Sequence, residues 1–313
     1  MILMSIFLSI LFSTAFLLII YPFLKKSFLD FPVSRSSHTI PTPKGAGIVF
    51  SLVSIFGYLL YKNKLFLICF PLSIIGFLDD RFNLRRRTRF LAQIIISILL
   101  LRESHLFNES LIILRENNFF IPLFILFAIT GVVAFINFTN FLDGLDGLLC
   151  GCMAVALTVQ AILISPELFI LVGAIIAFLP WNWSPAKLFM GDSGSTFLGA
   201  IYIGNALYST TLVQFIGLVL IVTPLWADAF TCVIRRFKNN QKIFAPHKLH
   251  LFQRLNQSGL SHSKVSIIYI LSTLFISIVF LTLNTFFAFI ASLIVILLGI
   301  YLDKKVAKEF IVK

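Results

Sequence analysis

Charged side chains are scarce in this chain: Asp, Glu, Lys and Arg make up only 12% of its 313 residues, whereas 59% are hydrophobic. Soluble globular domains carry about 25% charged and about 45–50% apolar residues. The shortage excludes a soluble domain, because too few polar side chains remain to cover a core. A helix that crosses a bilayer needs about 20 mostly apolar residues. The composition therefore predicts a single all-α, polytopic membrane domain over residues 1–313.

Cysteine and acidic residues are also few. The four cysteines, Cys69, Cys150, Cys152 and Cys232, match neither a zinc pattern nor a disulfide framework, and we expect them to be buried small side chains. Acidic residues number 13 against 25 Lys and Arg, so the net charge is +12. In a soluble protein this excess would suggest nucleic acid. In a membrane protein it marks cytoplasmic loops, so we expect no nucleic-acid partner.

Long apolar stretches follow one another along the chain. They cover residues 2–23, 46–61, 65–78, 90–101, 119–138, 148–164, 168–181, 196–208, 211–232, 265–283 and 285–302. The first begins without a basic segment and lacks a small-residue cleavage site, so we interpret it as a span rather than a signal peptide. The pattern predicts about 11 transmembrane helices.

The distribution of basic residues predicts the orientation of these helices. With the N-terminus outside, the inside segments are 24–45, 79–89, 139–147, 182–195, 233–264 and the tail after 302. They hold 21 of the 25 Lys and Arg, and the outside loops hold only Lys62, Lys64, Arg102 and Arg115. Basic residues concentrate on the cytoplasmic side of membrane proteins. The C-terminus is therefore predicted to be cytoplasmic.

The same orientation places six aspartates at cytoplasmic ends of spans. They are Asp79, Asp80, Asp143, Asp146, Asp192 and Asp228. Acids close to the hydrocarbon are costly and usually serve an ion, a substrate or a partner. The sequence therefore predicts a site for phosphate and metal on the cytoplasmic face, although it assigns no role to Asp228.

Two of the acidic motifs lie at predicted helix ends. Asp79 and Asp80 are adjacent, and their repulsion calls for a divalent cation or a base, unless Arg81 and the arginines at 85–87 neutralise them. Polar residues then recur every third position over 137–147, through Asn137, Asn140, Asp143 and Asp146. We predict that this segment opens from a helix end into a glycine-containing loop. The alternative is a hydrogen-bonded seam between helices, which suits the asparagines better.

Three further polar segments complete the pattern. Residues 182–195 include small residues that open the next helix, where free N–H groups can bind anionic oxygens. Asp192, in this segment, can bind Mg²⁺. The alternative, an Asp or Ser N-cap, explains one of these residues but not the whole segment. His247 and His250, in the basic loop, suit hydrogen bonds to a diphosphate rather than metal binding, because no third nitrogen or sulfur ligand accompanies them. A basic loop at the membrane surface is the alternative. Residues 34–47 are consistent with a plain connecting loop.

Five motifs in this order resemble the polyprenyl-phosphate N-acetylhexosamine-1-phosphate transferases (glycosyltransferase family 4). They are SHTIPTPKGAGI, GFLDD, NFTNFLDGLDGL, NWSPAKLFMGDSGS and PHKLHLFQR, and they extend over most of the chain. The resemblance implies an enzyme of about 11 spans in the bacterial plasma membrane with a cytoplasmic active site. Such enzymes use Mg²⁺, for which Mn²⁺ can substitute, to transfer a sugar-1-phosphate from a UDP-N-acetylhexosamine to polyprenyl phosphate, releasing UMP.

The resemblance also implies roles for individual residues. Asp79 and Asp80 match paired catalytic aspartates, with Asp79 expected to deprotonate or orient the lipid phosphate, and Asp192 matches the Mg²⁺ ligand. Substrate binding is expected from Asn137, Asn140, Asp143, Asp146, Asn182 and Phe189, with Phe189 stacking on uracil. His247 and His250 match the outer two histidines of a diphosphate-binding loop. No role carries over to Arg85, Arg86, Arg87 or Arg89.

The loop sequence His-Lys-Leu-His lacks three consecutive histidines, which argues against the pentapeptide translocase of peptidoglycan synthesis. It looks more like the branch that begins O-antigen, capsule or teichoic-acid glycans. An ion-coupled transporter is the alternative from another class, but its acids would lie near the bilayer midplane. The sequence leaves open the sugar, the glycan, and whether the enzyme acts as a homodimer.

Overall fold

The computed structural model describes residues 2–33, 36–114, 119–242, 245 and 247–310. Arg115, parts of the predicted cytoplasmic segments 24–45 and 233–264, and the end of the tail lie outside these ranges. The described residues form 14 α-helices, which are α1 Ile2–Ser27, α2 Ile48–Tyr61, α3 Lys64–Phe82, α4 Arg86–Glu103, α5 His105–Leu114, α6 Ile121–Phe141, α7 Leu148–Leu163, α8 Phe169–Asn182, α9 Asp192–Ala206, α10 Leu212–Ile221, α11 Thr223–Lys238, α12 Leu251–Gln257, α13 His262–Thr282 and α14 Thr285–Lys305.

The helices confirm an all-α membrane protein. Four described helices, α1, α6, α13 and α14, are each long and apolar enough to cross a bilayer. Two bent pairs, α4 with α5 at 78° and α10 with α11 at 77°, raise the number to as many as six. Each predicted span coincides with a helix or, for 211–232, with a bent pair. The count of 11 spans and the orientation of the termini stay predictions.

Helix α9 lies at the centre of the bundle. Every residue from Ser193 to Ala206 is buried, and α9 packs against α3 and α6. Glycines permit this closeness: a Cβ on Gly76 of α3 would stand 2.5 Å from the backbone of Asp192. By contrast, α1 and α14 carry many exposed large apolar side chains, as a lipid-facing surface requires.

The segment before α2 is more than a connecting loop. Leu29–Asp30 (β1) pairs antiparallel with Thr42–Pro43 (β2). The chain then runs beside residues 189–190: the Phe189 amide donates to the Pro43 carbonyl at 2.8 Å, and the Gly47 amide donates to the Met190 carbonyl at 2.9 Å. These hydrogen bonds tie the described part of the 34–47 segment to the beginning of α9.

Candidate active site

Asp80 holds the N-terminus of α9. Its Oδ1 accepts from the Asp192 amide at 3.1 Å, and its Oδ2 accepts from the Ser193 amide at 3.2 Å. A carboxylate suits this place because helix N-termini present unpaired N–H groups and a positive dipole end. Gly191, at φ +70°, makes room, since a Cβ there would stand 2.3 Å from Asp80 Oδ2. Both oxygens of Asp80 are therefore engaged in positioning the helix that begins with Asp192.

Asp192 is the point at which four helices meet. Arg89 of α4 donates through Nη1 to Asp79 Oδ2 at 2.7 Å and to Asp192 Oδ2 at 2.8 Å. Asn140 of α6 donates through Nδ2 to Asp192 Oδ1 at 3.0 Å and to Ser195 Oγ at 2.8 Å. The structure thus brings together Asp79, Asn140 and Asp192, as the sequence predicts, and adds Arg89.

Negative charge is concentrated around Asp192. Asp143, in the loop after α6, has a pKa well above its usual value, because its carboxyl group is desolvated and because the negative charges of Asp192, Asp80 and Asp146 act on it. An arrangement of crowded carboxylate oxygens is the donor set that Mg²⁺ prefers. The carboxylates of Asp79 and Asp192, which share Arg89, therefore have the chemistry that suits a divalent cation of this kind.

The loop that carries Asp146 has its own partner, which the sequence did not single out. His262, at the start of α13, places Nδ1 3.1 Å from Asp146 Oδ2, and the Ala186 amide donates to the same oxygen at 3.2 Å. Burial acts to raise the pKa of Asp146, but His262 and the Ala186 amide outweigh it, and the pKa is lowered. Asp146 is therefore held as an anion between the loop that contains Ala186 and the start of α13.

Asn182 and Asn137 make structural contacts. Asn182 Oδ1 accepts from the Gly147 amide at 3.1 Å and its Nδ2 donates to the Leu188 carbonyl at 3.1 Å, so it joins the loops on either side. Asn137 donates to Gln93 Oε1 of α4 at 2.7 Å. The Asn137 contact is a hydrogen bond between two helices, which was the alternative considered for the asparagines. Asn140, by contrast, contacts Asp192.

Phe189 is partly buried beside a histidine from the N-terminal segment. The rings of Phe189 and His38 lie 5.1 Å apart at 64°, an edge-to-face arrangement. His38 Nε2 lies 3.6 Å from Asp30 Oδ2 and 3.3 Å from the carbonyl of the same residue. The 36–47 segment therefore supports the residue for which stacking on a base is expected.

Asp228, to which the sequence assigned no role, organises the basic loop that contains His247 and His250, called the histidine loop below. Its oxygens accept from the Leu251 amide at 2.7 Å, the Phe252 amide at 3.1 Å and the Tyr269 hydroxyl at 2.7 Å. His250 Nδ1 lies 3.5 Å from Asp228 Oδ1. Burial opposes a charge on His250, but Asp228 and Cys232 raise its pKa to about 9.

His250 and the start of α12 pack against the end of α6 and the loop that contains Asp143. A Cβ on Gly144 would stand 3.0 Å from the Phe252 ring, and the His250 ring lies 5.9 Å from that of Phe141.

His247 is partly buried, and burial together with the nearby positive charge of His250 and Arg236 lowers its pKa to about 3. The sequence-based argument against a metal at these histidines was that no third nitrogen or sulfur ligand accompanies them. That argument is wrong, because the sulfur of Cys232 lies beside the two histidines.

Sequence reasoning missed Arg89 and His262 because of their settings. Arg89 stands in a run of arginines, and nothing in that run marks which one turns toward the acids. His262 follows an ordinary N-cap, Ser261, whose side chain accepts from the Lys264 amide. For Asp228 the sequence did contain a signal that it has partners, because an acid within an apolar run is costly without them.

Fold and site together define an all-α membrane protein whose loops bring a carboxylate cluster and a histidine loop to one end of a central helix. The sequence profile of glycosyl transferase family 4 matches residues 62–210, which include Asp79 and Asp192 but not the histidine loop.

Relatives over longer stretches agree with this match. A probable undecaprenyl-phosphate N-acetylglucosaminyl 1-phosphate transferase of Bacillus subtilis is 29% identical over 285 residues, covering 82% of this chain and 79% of the relative. An undecaprenyl-phosphate alpha-N-acetylglucosaminyl 1-phosphate transferase of Thermotoga maritima is 29% identical, covering 74% of each. A phospho-N-acetylmuramoyl-pentapeptide-transferase of Staphylococcus aureus is 31% identical, covering 59% of this chain and 68% of the relative. The chain therefore belongs to glycosyl transferase family 4, the polyprenyl-phosphate hexosamine-1-phosphate transferases, and is an enzyme of the transferase class.

Proposed function

We propose that this enzyme transfers an N-acetylhexosamine-1-phosphate from a UDP-sugar to polyprenyl phosphate, releasing UMP on the cytoplasmic side of the bacterial plasma membrane. The observation that carries the proposal is the meeting of Asp79, Arg89, Asn140 and Asp192 at the N-terminus of α9. Phosphoryl transfer depends mainly on positioning and charge neutralisation, and this cluster offers both.

N-acetylglucosamine is the sugar that the relatives favour. Those of B. subtilis and T. maritima are both named as N-acetylglucosaminyl 1-phosphate transferases. The relatives also include pentapeptide transferases, which keeps that reaction as the second candidate. The sequence His-Lys-Leu-His at 247–250 favours the first, and the product would begin an envelope glycan of O-antigen, capsule or teichoic-acid type.

Mg²⁺, or Mn²⁺ in its place, would be held by Asp192 with Asp79 beside it, because carboxylate oxygens with excess negative charge around them suit a hard divalent ion. When bound, the ion supplies charge neutralisation at the diphosphate and at the leaving phosphate. The neighbouring Arg89 already contacts both Asp79 and Asp192. A shift of this guanidinium would place a positive charge beside an incoming phosphate.

The remaining residues divide between the two substrates. Asp79 takes or orients the proton of the lipid phosphate, and Asp80 acts through α9 as a positioning residue. His250 as imidazolium, with His247 beside it, faces the diphosphate. Phe189 stacks on uracil, supported by His38. Asn182, Asp143 and Asp146 shape the nucleotide side, where the loops at 143–147 and 182–189 are joined by hydrogen bonds.

A direct assay tests the reaction. Membranes containing the protein are incubated with Mg²⁺, undecaprenyl phosphate and, in separate reactions, UDP-GlcNAc, other UDP-N-acetylhexosamines and UDP-MurNAc-pentapeptide, and released UMP is measured. We expect UMP only when lipid phosphate is present, with UDP-GlcNAc as the best donor, and none after chelation of the metal. Membranes without the protein are the control. No UMP with any donor would refute the proposal, and release with the pentapeptide donor alone would establish the second candidate.

A further inference from the structure

Cys232 of α11 lies beside His247 and His250, the two histidines of the histidine loop. One potential ligand atom from each of Cys232, His247 and His250 lies within 4.8 Å of the other two. Cys232 is 3% and His250 4% exposed, and His247 is partly buried. Ligand atoms around a tetrahedral zinc ion stand about 3.3–3.7 Å apart, as Zn–N and Zn–S bond lengths require. Small side-chain rotations are therefore enough to bring these three donors to one ion.

A second, independent feature points to a metal ligand. The Asp228 carboxylate lies behind His250, 3.5 Å from Nδ1, and is itself fixed by the Tyr269 hydroxyl at 2.7 Å and by two amides at the start of α12. Metal-binding histidines commonly direct their second ring nitrogen to a carboxylate in this way, which orients the ring and raises its basicity. Asp228 therefore leaves Nε2 of His250 as the nitrogen on the side away from it.

Charge and donor type decide which ions fit. A Cys232 thiolate and Asp228 supply two negative charges, and the guanidinium of Arg236, near enough to act on His247, supplies one positive charge. A divalent cation is favoured by this balance, and its binding releases the protons of the thiol and of His250. Sulfur and imidazole donors select zinc-like ions, whereas the oxygen donors around Asp192 select magnesium.

We propose that Cys232, His247 and His250 form a second metal site, for a divalent ion of the zinc class, and that its occupation inhibits the enzyme. The ion takes both imidazoles that otherwise face the diphosphate, and it adds a fourth ligand from solvent or from a phosphate oxygen. The inhibition rests on the proposed function, but binding of the ion does not.

Binding is tested with the purified full-length protein in detergent and Co²⁺ as the probe. We expect a thiolate-to-cobalt charge-transfer absorption band at one ion per chain, displaced by Zn²⁺. Cys232→Ser should remove the band, whereas Cys69→Ser, at a cysteine that is also fully buried and distant in sequence, should keep it. Absence of the band in the unaltered protein, or its persistence in Cys232→Ser, would overturn the proposal.

Inhibition is tested by UMP release at constant Mg²⁺ with increasing Zn²⁺, each variant being compared with its own zinc-free rate. Cys232→Ser should need at least about tenfold more Zn²⁺ for half-inhibition, the scale on which loss of one supporting group weakens metal affinity. Cys69→Ser should match the unaltered protein. Equal sensitivity of all three would refute an inhibitory role at Cys232. If no donor yields UMP, the proposed function fails, and the cobalt band still decides whether the site exists.

Discussion

At the residue scale, the aspartates of the cluster differ in the donors that surround them. Asp79 and Asp192 share the Arg89 guanidinium, whereas both oxygens of Asp80 accept from backbone amides of α9. Asp228 is likewise engaged with amides, those that begin α12. We therefore expect Asp80 and Asp228 to position helices, and Asp79 and Asp192, which are paired to a side chain that can move, to be available to a substrate or an ion.

This difference predicts the effect of neutral substitutions. Asp79→Asn should lower the rate of UMP release about 10²–10⁴-fold, the usual contribution of a positioned acid or base. Asp192→Asn should lower it comparably, because it removes the proposed Mg²⁺ ligand. Both variants should still insert into membranes. The measurement is UMP release per amount of inserted protein. Glu103→Gln, whose side chain pairs with the exposed Lys64, is the acidic control and should retain activity. Full activity in either aspartate variant would remove its assigned role.

A second prediction at this scale concerns the contact between His262 and Asp146. His262→Ala should raise the KM for the UDP-sugar by about tenfold, or about 1.4 kcal/mol, because the loop that carries Asp146 loses a charge-assisted contact. The kcat should change less, since His262 contacts Asp146, which is proposed to bind the nucleotide rather than the reacting phosphate. His105→Ala, at an exposed histidine also paired with an acid, is the matched control. An unchanged KM in His262→Ala would show that this contact does not serve substrate binding.

At the scale of elements, the site depends on close packing around α9. Gly47, at the N-terminus of α2, abuts Gly194: a Cβ on Gly47 would stand 2.1 Å from the Gly194 Cα and backbone nitrogen. Backbone atoms cannot rotate away as a side chain can, so α2 or α9 would have to shift. The first turn of α9 contains both Asp192 and the amides that Asp80 holds, and a shift would therefore reach the site directly.

Gly47→Ala should accordingly lower both thermal stability and activity. Overpacking of a tight interface costs about 1–3 kcal/mol. Gly131→Ala in α6 is the matched control, because a Cβ there meets no atom within 4 Å among the described residues. Thermal unfolding in detergent and UMP release would be measured for both. Equal melting temperatures for the two variants would contradict the packing argument.

At the scale of the whole molecule, the four long apolar helices and two bent pairs support a membrane location, and charge predicts its sidedness. A cysteine at Lys62 should react with a membrane-impermeant maleimide in intact cells, whereas one at Lys304 should react only after lysis. Both positions are exposed, and the unaltered chain, whose four cysteines are buried, is the control. Labelling of the Lys304 variant in intact cells would reverse the predicted orientation and place the site outside.

Hydropathy was sufficient to predict the membrane class and the positions of most helices, and motif order pointed to several residues that meet at the start of α9. These properties are local: an apolar stretch partitions into lipid whatever it packs against, and Asp79, Asn140 and Asp192 each lie in a recognisable segment. The packing of the 36–47 segment against residues 189–190 was not predicted, because nothing in the composition of that segment indicates which residues it contacts.

What only the tertiary structure decided is which polar groups meet. Arg89 reaches Asp192 across 103 positions of sequence, and His262, like Asp228 and Cys232, gains its role from a loop folded against it. Such pairings depend on helix packing and side-chain direction, and the spacing of residues in one segment does not specify either. The sequence by itself determined that aspartates gather at one end of the bundle. Helix packing decided which of them accept from backbone amides, as Asp80 does, and which pair with a side chain, as Asp79 and Asp192 do, because that depends on the donors each oxygen meets.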